Sequence, residues 1–216
     1  MPTCRSKPDH EGHKFIYIHT PKTGGVSLTT ALGAHVVPYE DDLDLRNSIL
    51  EHSHALLGAY QGILFWHITL RDLMRHYGEF QIKEFYSFSF IRNPLDWLVS
   101  MYQFIRRTSE HPESMILGHM DFRQFLLYWG SKSVQQVDFM RGYGQSPALT
   151  EIHRFEDFNT AIERISEQCD LKLEVPHLNA STATETWRSY YDRNTFEAAC
   201  KMFHEDIRVG GYELEY

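Results

Sequence analysis

His19-Thr20-Pro21-Lys22-Thr23-Gly24-Gly25-Val26-Ser27-Leu28 is the stretch that decides the fold of this chain. Residues 15–19 form a short, nearly continuous apolar run, the pattern of a parallel strand buried on both faces. The run stops at Thr20-Pro21, and Gly24-Gly25 opens a helix expected to reach about Leu32. Glycines let the main chain approach an anion, and the N–H groups that follow point outward at the positive end of the helix dipole. Lys22 adds a full charge, and Thr23 and Ser27 add hydroxyl donors. Without its flanks, Gly-Gly is an ordinary turn beside a surface lysine; a strand before it and a helix after it favour the anion site. Lys22 precedes the glycines, whereas in the common nucleotide loop Gly-x-x-x-x-Gly-Lys-Ser/Thr the lysine follows them.

Outward from this stretch the chain alternates strands and helices. Residues 63–67 form a second candidate strand before a helix over 69–77, and residues 85–91 form an aromatic third strand. Asn93 is a good N-cap, Pro94 suits the first helical position and Asp96 suits the positive end of the dipole, so a helix is expected over 94–107. Leu98, Tyr102 and Ile105 recur at helical spacing on its core face. A strand over 152–155 and helices over 121–129, 156–168 and 195–207 complete the pattern. Strand–turn–helix units in series predict an α/β domain with a central parallel sheet flanked by helices on both faces. Its ligands belong at the carboxyl ends of the strands. The polar stretch 1–13 precedes this single domain, 14–216.

Phe90-Ile91-Arg92-Asn93-Pro94-Leu95-Asp96-Trp97-Leu98-Val99-Ser100 supplies a second candidate anion site. Arg92 ends a strand, and its planar fork suits a phosphate dianion. Ser100, two turns into the next helix, adds a hydroxyl. The structural alternative is an arginine paired with a nearby carboxylate and a solvated serine.

Pro-Lys-Thr-Gly-Gly-x-Ser-Leu after a strand, followed by Arg-Asn-Pro and Ser-x-Tyr, resembles the sulfotransferase family. The branch most similar holds the heparan uronyl 2-O-sulfotransferases and their bacterial relatives. The resemblance implies a P-loop-like sulfotransferase fold with PAPS as donor and PAP as product. It gives Lys22 and the loop Thr23, Gly24, Gly25, Val26 and Ser27 to the 5′-phosphosulfate, and Arg92 and Ser100 to the 3′-phosphate. Pro176-His177-Leu178-Asn179-Ala180-Ser181, Tyr190-Tyr191 and the closing Asp206 to Tyr212 resemble the tail of the bacterial relatives. Val26 departs from the pattern, standing where relatives often carry threonine. No Arg-Lys-Gly segment of the cytosolic small-molecule enzymes occurs. In relatives a histidine in the strand-to-helix region of His67 deprotonates the acceptor. His67 is therefore the candidate base, and a strand-end histidine bonded to the backbone is the alternative.

Composition narrows the field. A net charge of −8 argues against a broad nucleic-acid footprint but leaves room for a local anion site. Three cysteines, Cys4, Cys169 and Cys200, read as reduced thiols of a cytoplasmic protein. No run is long enough to anchor the chain in a membrane. The 13 histidines show no metal-ligand spacing, and the scheme needs no metal. The chemistry expected is in-line attack of an acceptor oxygen on sulfur, with Lys22 stabilising the leaving oxygen and His67 taking the proton. A small-metabolite kinase and a non-catalytic nucleotide-binding protein are the rivals. Carbohydrate hydroxyls are favoured by resemblance; lipid, tyrosine and small-alcohol acceptors stay open, as does oligomeric state.

Overall fold

A computed structural model describes residues 3–53, 67–108, 114–144, 147–175 and 186–216. Among them, five strands form one sheet: β1 (Cys4–Ser6), β2 (Phe15–Tyr17), β3 (Val36–Pro38), β4 (Tyr86–Ile91) and β5 (Glu151–Arg154). The helices in chain order are α1 (Gly25–Leu32), α2 (Leu43–Ser53), α3 (Leu70–Tyr77), α4 (Glu79–Lys83), α5 (Pro94–Arg107) and α6 (Ser114–Leu117). They continue with α7 (Phe122–Lys132), α8 (Val137–Met140), α9 (Phe158–Cys169), α10 (Arg193–Met202) and α11 (His204–Gly210).

The spatial order is β3-β1-β2-β4-β5. The centre is parallel: Tyr17 pairs with Phe88, and Ile91 with Arg154. β1 is antiparallel to both of its neighbours, so the sheet is mixed and the expectation of a wholly parallel sheet is corrected. Residues 7–14 are too few to carry a crossover helix, so the chain doubles back between β1 and β2. Three residues of the polar N-terminal stretch thus become a strand, with Cys4 and Ser6 buried. So short a strand has no periodicity to read.

Every residue of β2 and β4 is buried, as strands covered on both faces require. Alternation sorts their side chains. Phe15, Tyr17, Phe88 and Phe90 pack with Leu28 and Leu32 of α1 and Ile162 and Ile165 of α9. Ile16 and Ile18 pack on the opposite face with Leu45, Leu73, Met74, Ile82 and Phe139. A third cluster joins α5, α7 and α10 through Trp97, Leu98, Tyr102, Ile105, Phe125, Trp129 and Phe196, with Phe203 beside them.

α5 follows the predicted bounds. Asn93 Oδ1 accepts from the Leu95 and Asp96 N–H groups at 3.0 and 3.3 Å, with Pro94 behind the cap. The helix expected over 195–207 is two helices. Asp192 and Thr195 form a capping box that starts α10 earlier, and Phe203, fully buried, leaves the helical conformation before α11. The strand expected over 63–67 lies outside the described residues except for His67, as does the Asn179 segment.

Candidate active site

The carboxyl ends of β2, β4 and β5 lie side by side, and each feeds a site segment. β2 runs on through Ile18, whose N–H bonds Phe88 O at 2.9 Å, into the loop of Thr20 to Gly24. Lys22 has φ 61° and Gly24 φ 78°. The left-handed conformation costs a non-glycine residue about 1–2 kcal/mol, so the surroundings must hold Lys22 there. Trp97 Nε1 donates to Pro21 O at 2.7 Å, and Arg92 donates from a terminal nitrogen to Lys22 O at 3.2 Å. Both donors come from the second motif, so the two motifs are tied together across the sheet edge.

Glycine is needed at the turn for space as well as for φ. A Cβ at Gly25 would lie 1.9 Å from His19 Nε2, and one at Gly24 would lie 3.0 Å from the rings of both Phe155 and Phe158. α1 therefore begins on a glycine with no capping side chain, at the positive end of its dipole. Thr23 is fully buried, and its hydroxyl donates to Thr20 O at 2.8 Å within the loop. Ser27 is buried on α1, while Val26 is 42% exposed.

Arg92 leaves β4 and stacks over Phe155, its guanidinium 5.0 Å from the ring. Its Nε and one terminal nitrogen meet Asp96 Oδ2 at 2.8 and 2.7 Å. The carboxylate partner weighed in the sequence is thus present. It fixes one edge of the fork, and N–H groups remain on both terminal nitrogens. Ser100 lies one turn beyond Asp96 on the same face of α5 and is half-buried.

The Lys22 ammonium sits 4.2 Å from the centre of the Phe104 ring. Burial, and then the charge of Arg92, hold its pKa below the usual lysine value. Two cations therefore converge on one sheet edge, and among the described residues Lys22 has no carboxylate partner. An anion bound between them would relieve both effects.

His67 stands just before Thr69, the cap of α3. Its Nδ1 lies 2.9 Å from His19 O, and its ring is 4.4 Å from the His19 ring. A carbonyl only accepts, so Nδ1 carries the hydrogen and Nε2 keeps a lone pair. Burial pulls the pKa of His67 down to about 4, against the opposing hydrogen bond to His19. By surface area the ring is half-buried. Because His19 also packs on Gly25, the rings of His19 and His67 link the candidate base to the glycine turn.

Residues 9–212 match the sequence profile of the sulfotransferase family. The chain belongs to this family. No curated protein and no solved structure matches it significantly. Membership makes this chain a transferase of the sulfuryl-transferring class. Among its described residues no helix is long and apolar enough to cross a membrane.

Parts of the candidate site escape the sequence. The bond from the Trp97 indole N–H to Pro21 O is invisible in a helical pattern. Glu156 suits a helix start, yet α9 opens only at Phe158, after a 3-10 turn over Phe155–Asp157. Glu156 instead accepts from the Asn93 N–H at 2.7 Å. Phe104 and Phe155, which face the two cations, carry no sequence signal beyond their aromatic character.

Proposed function

We propose that this sulfotransferase moves the sulfuryl group of PAPS to an acceptor hydroxyl, foremost that of a carbohydrate, and releases PAP. The placement is with the heparan uronyl 2-O-sulfotransferases and their bacterial relatives, in a P-loop-like fold. The observation that carries the reading is the convergence of Lys22 and Arg92 beside an uncapped helix start. Two cationic groups on neighbouring strand ends suit a nucleotide with two separate anionic groups.

The donor supplies a sulfuryl group already activated by its 5′-phosphate. Lys22 with Thr23, Gly24, Gly25, Val26 and Ser27 would hold that end, and Arg92 with Ser100 would hold the 3′-phosphate. His67 Nε2 accepts the acceptor's proton while the acceptor oxygen bonds to sulfur. The bond from sulfur to the phosphate oxygen breaks, and its electron pair leaves on that oxygen, where the Lys22 charge stabilises it. Positioning and charge stabilisation supply most of the rate, as in phosphoryl transfer. A kinase would want a carboxylate at this edge for Mg²⁺, and the carboxylate beside Arg92, Asp96, is engaged by the guanidinium.

PAP is expected to raise the melting temperature without Mg²⁺. At ~100-fold saturation the gain is about 2.7 kcal/mol, or roughly 5–10 °C for a chain of this size. ADP and ATP should give much smaller shifts; an equal shift from ATP–Mg²⁺ would favour the kinase. Arg92→Ala should weaken PAP binding roughly ten- to hundredfold, the loss of a charged hydrogen bond, and weaken AMP binding far less. Calorimetric titration of both nucleotides checks this: AMP is expected to lose only the small share that the Arg92 bond to Lys22 O gives the 5′ end, and a loss for AMP as large as that for PAP would take the 3′-phosphate away from Arg92.

A further inference from the structure

The main chain that carries Arg92 is held almost entirely by side chains. The pairing of β4 with β5 stops at Ile91 and Arg154. Beyond it, Ile91 O lies 3.1 Å from the Tyr212 hydroxyl oxygen. Arg92 N–H donates to Gln136 Oε1 at 2.9 Å, and Arg92 O accepts from Gln136 Nε2 at 2.8 Å. One amide side chain thus pairs with both polar groups of a residue, as a neighbouring strand would. Asn93 N–H donates to Glu156 Oε1 at 2.7 Å, and Glu156 Oε2 accepts from Tyr212 at 2.8 Å.

The holders are themselves held. Asp206 accepts from Gln136 N–H at 3.0 Å and Val137 N–H at 2.9 Å, and Gln136 Nε2 lies 3.4 Å from the same carboxylate. Gln136 and Asp206 are both 0% exposed. Tyr212 is packed on Gly210, where a Cβ would come within 2.2 Å of its ring. Buried polar groups that cost this much to bring together persist when a geometry must be kept. With the guanidinium fixed at its tip by Asp96 and Lys22 O, the residue is anchored at both ends.

We infer that Gln136, Glu156, Asp206 and Tyr212 are positioning residues. They aim the Arg92 guanidinium at the second anion site and so set the preference for a nucleotide bearing a 3′-phosphate. The inference rests on the donor proposed above. A guanidinium on a loose pivot still attracts an anion, but it loses the alignment that makes a fork selective.

The test is the affinity for PAP and for AMP in the parent, Gln136→Ala, Tyr212→Phe, Arg92→Ala and the double variant Arg92→Ala/Tyr212→Phe. Gln136→Ala should weaken PAP about tenfold and Tyr212→Phe about threefold, the scale of a misplaced contact, with AMP unchanged. In the Arg92→Ala background, Tyr212→Phe should have no further effect on PAP. Equal losses for PAP and AMP, additive losses in the double variant, or an unchanged PAP preference would overturn the inference. If Gln136→Ala fails to fold, Tyr212→Phe decides alone, because it removes one oxygen and keeps the ring. A parent that binds PAP no better than AMP overturns the donor reading, and the inference with it. A parent that prefers PAP, with clamp variants that keep that preference, overturns the inference alone.

Discussion

His67→Ala is expected to lower the rate of sulfuryl transfer by ~10²–10⁴, the range for one positioned base, while PAP affinity holds. The Nδ1 bond to His19 O leaves Nε2 as the basic atom, and a pKa near 4 keeps the ring neutral at ordinary pH. The parent rate should therefore rise with pH through about 4 and stay flat from there to the alkaline limb set by Lys22. An unperturbed imidazole would place that limb near ~6.5. Stability offers a second readout. The folded pKa lies below the unfolded one, so the unfolded chain binds more protons between them. The stability tied to neutral His67 is present above ~6.5 and is lost as pH falls toward the folded pKa. Asp206, pushed by burial up to about 7 against three N–H donors, titrates in the opposite sense over much of that window. Only the difference in melting between parent and His67→Ala isolates the histidine. That difference should shrink as pH drops from neutral toward 4. A variant that transfers sulfate at the parent rate removes the base role from His67.

Where chemistry depends on local order along the chain, the sequence is a sound guide here. The strand, glycine turn and helix around Lys22 are local, and so is the Asn93-Pro94 entry into α5; both are found as their residues predict. The mixed sheet is different. Cys4–Ser6 joins it through long-range pairing that three residues cannot announce. The positive φ of Lys22 is equally silent, because lysine has no preference for that region, and bonds from Trp97 and Arg92, distant in sequence, brace it there. Arg92 is legible as a strand-end cation, but Gln136 lies 44 residues away with no motif, and Asp206, though within the tail that resembles the bacterial relatives, carries no sign of its bond to Gln136. Contacts between distant side chains and main chain are set by tertiary packing, and no periodicity encodes them.

Lys22→Met is expected to lower transfer by ~10²–10³, the loss when one donor to a developing negative charge is removed. The stem is kept, and the melting temperature should barely move. Stability terms on the two sides nearly cancel. The variant loses a cation–π contact with Phe104 of about 0.5–1 kcal/mol. It also ends the desolvation of an ammonium and its repulsion from Arg92. A residue kept for structure would show the reverse, a lower melting temperature with the rate falling only in proportion. The pH profile adds a sharper test. The Lys22 pKa is lowered from 10.5 in the free protein, so kcat/KM should show an alkaline limb below that value. An anionic donor beside the ammonium favours its charged form and raises the pKa. The same limb in kcat, which reports the bound state, should therefore lie at higher pH than in kcat/KM. Lys22→Met should abolish both limbs. If the limbs survive in that variant, another group titrates there and Lys22 does not carry the leaving charge.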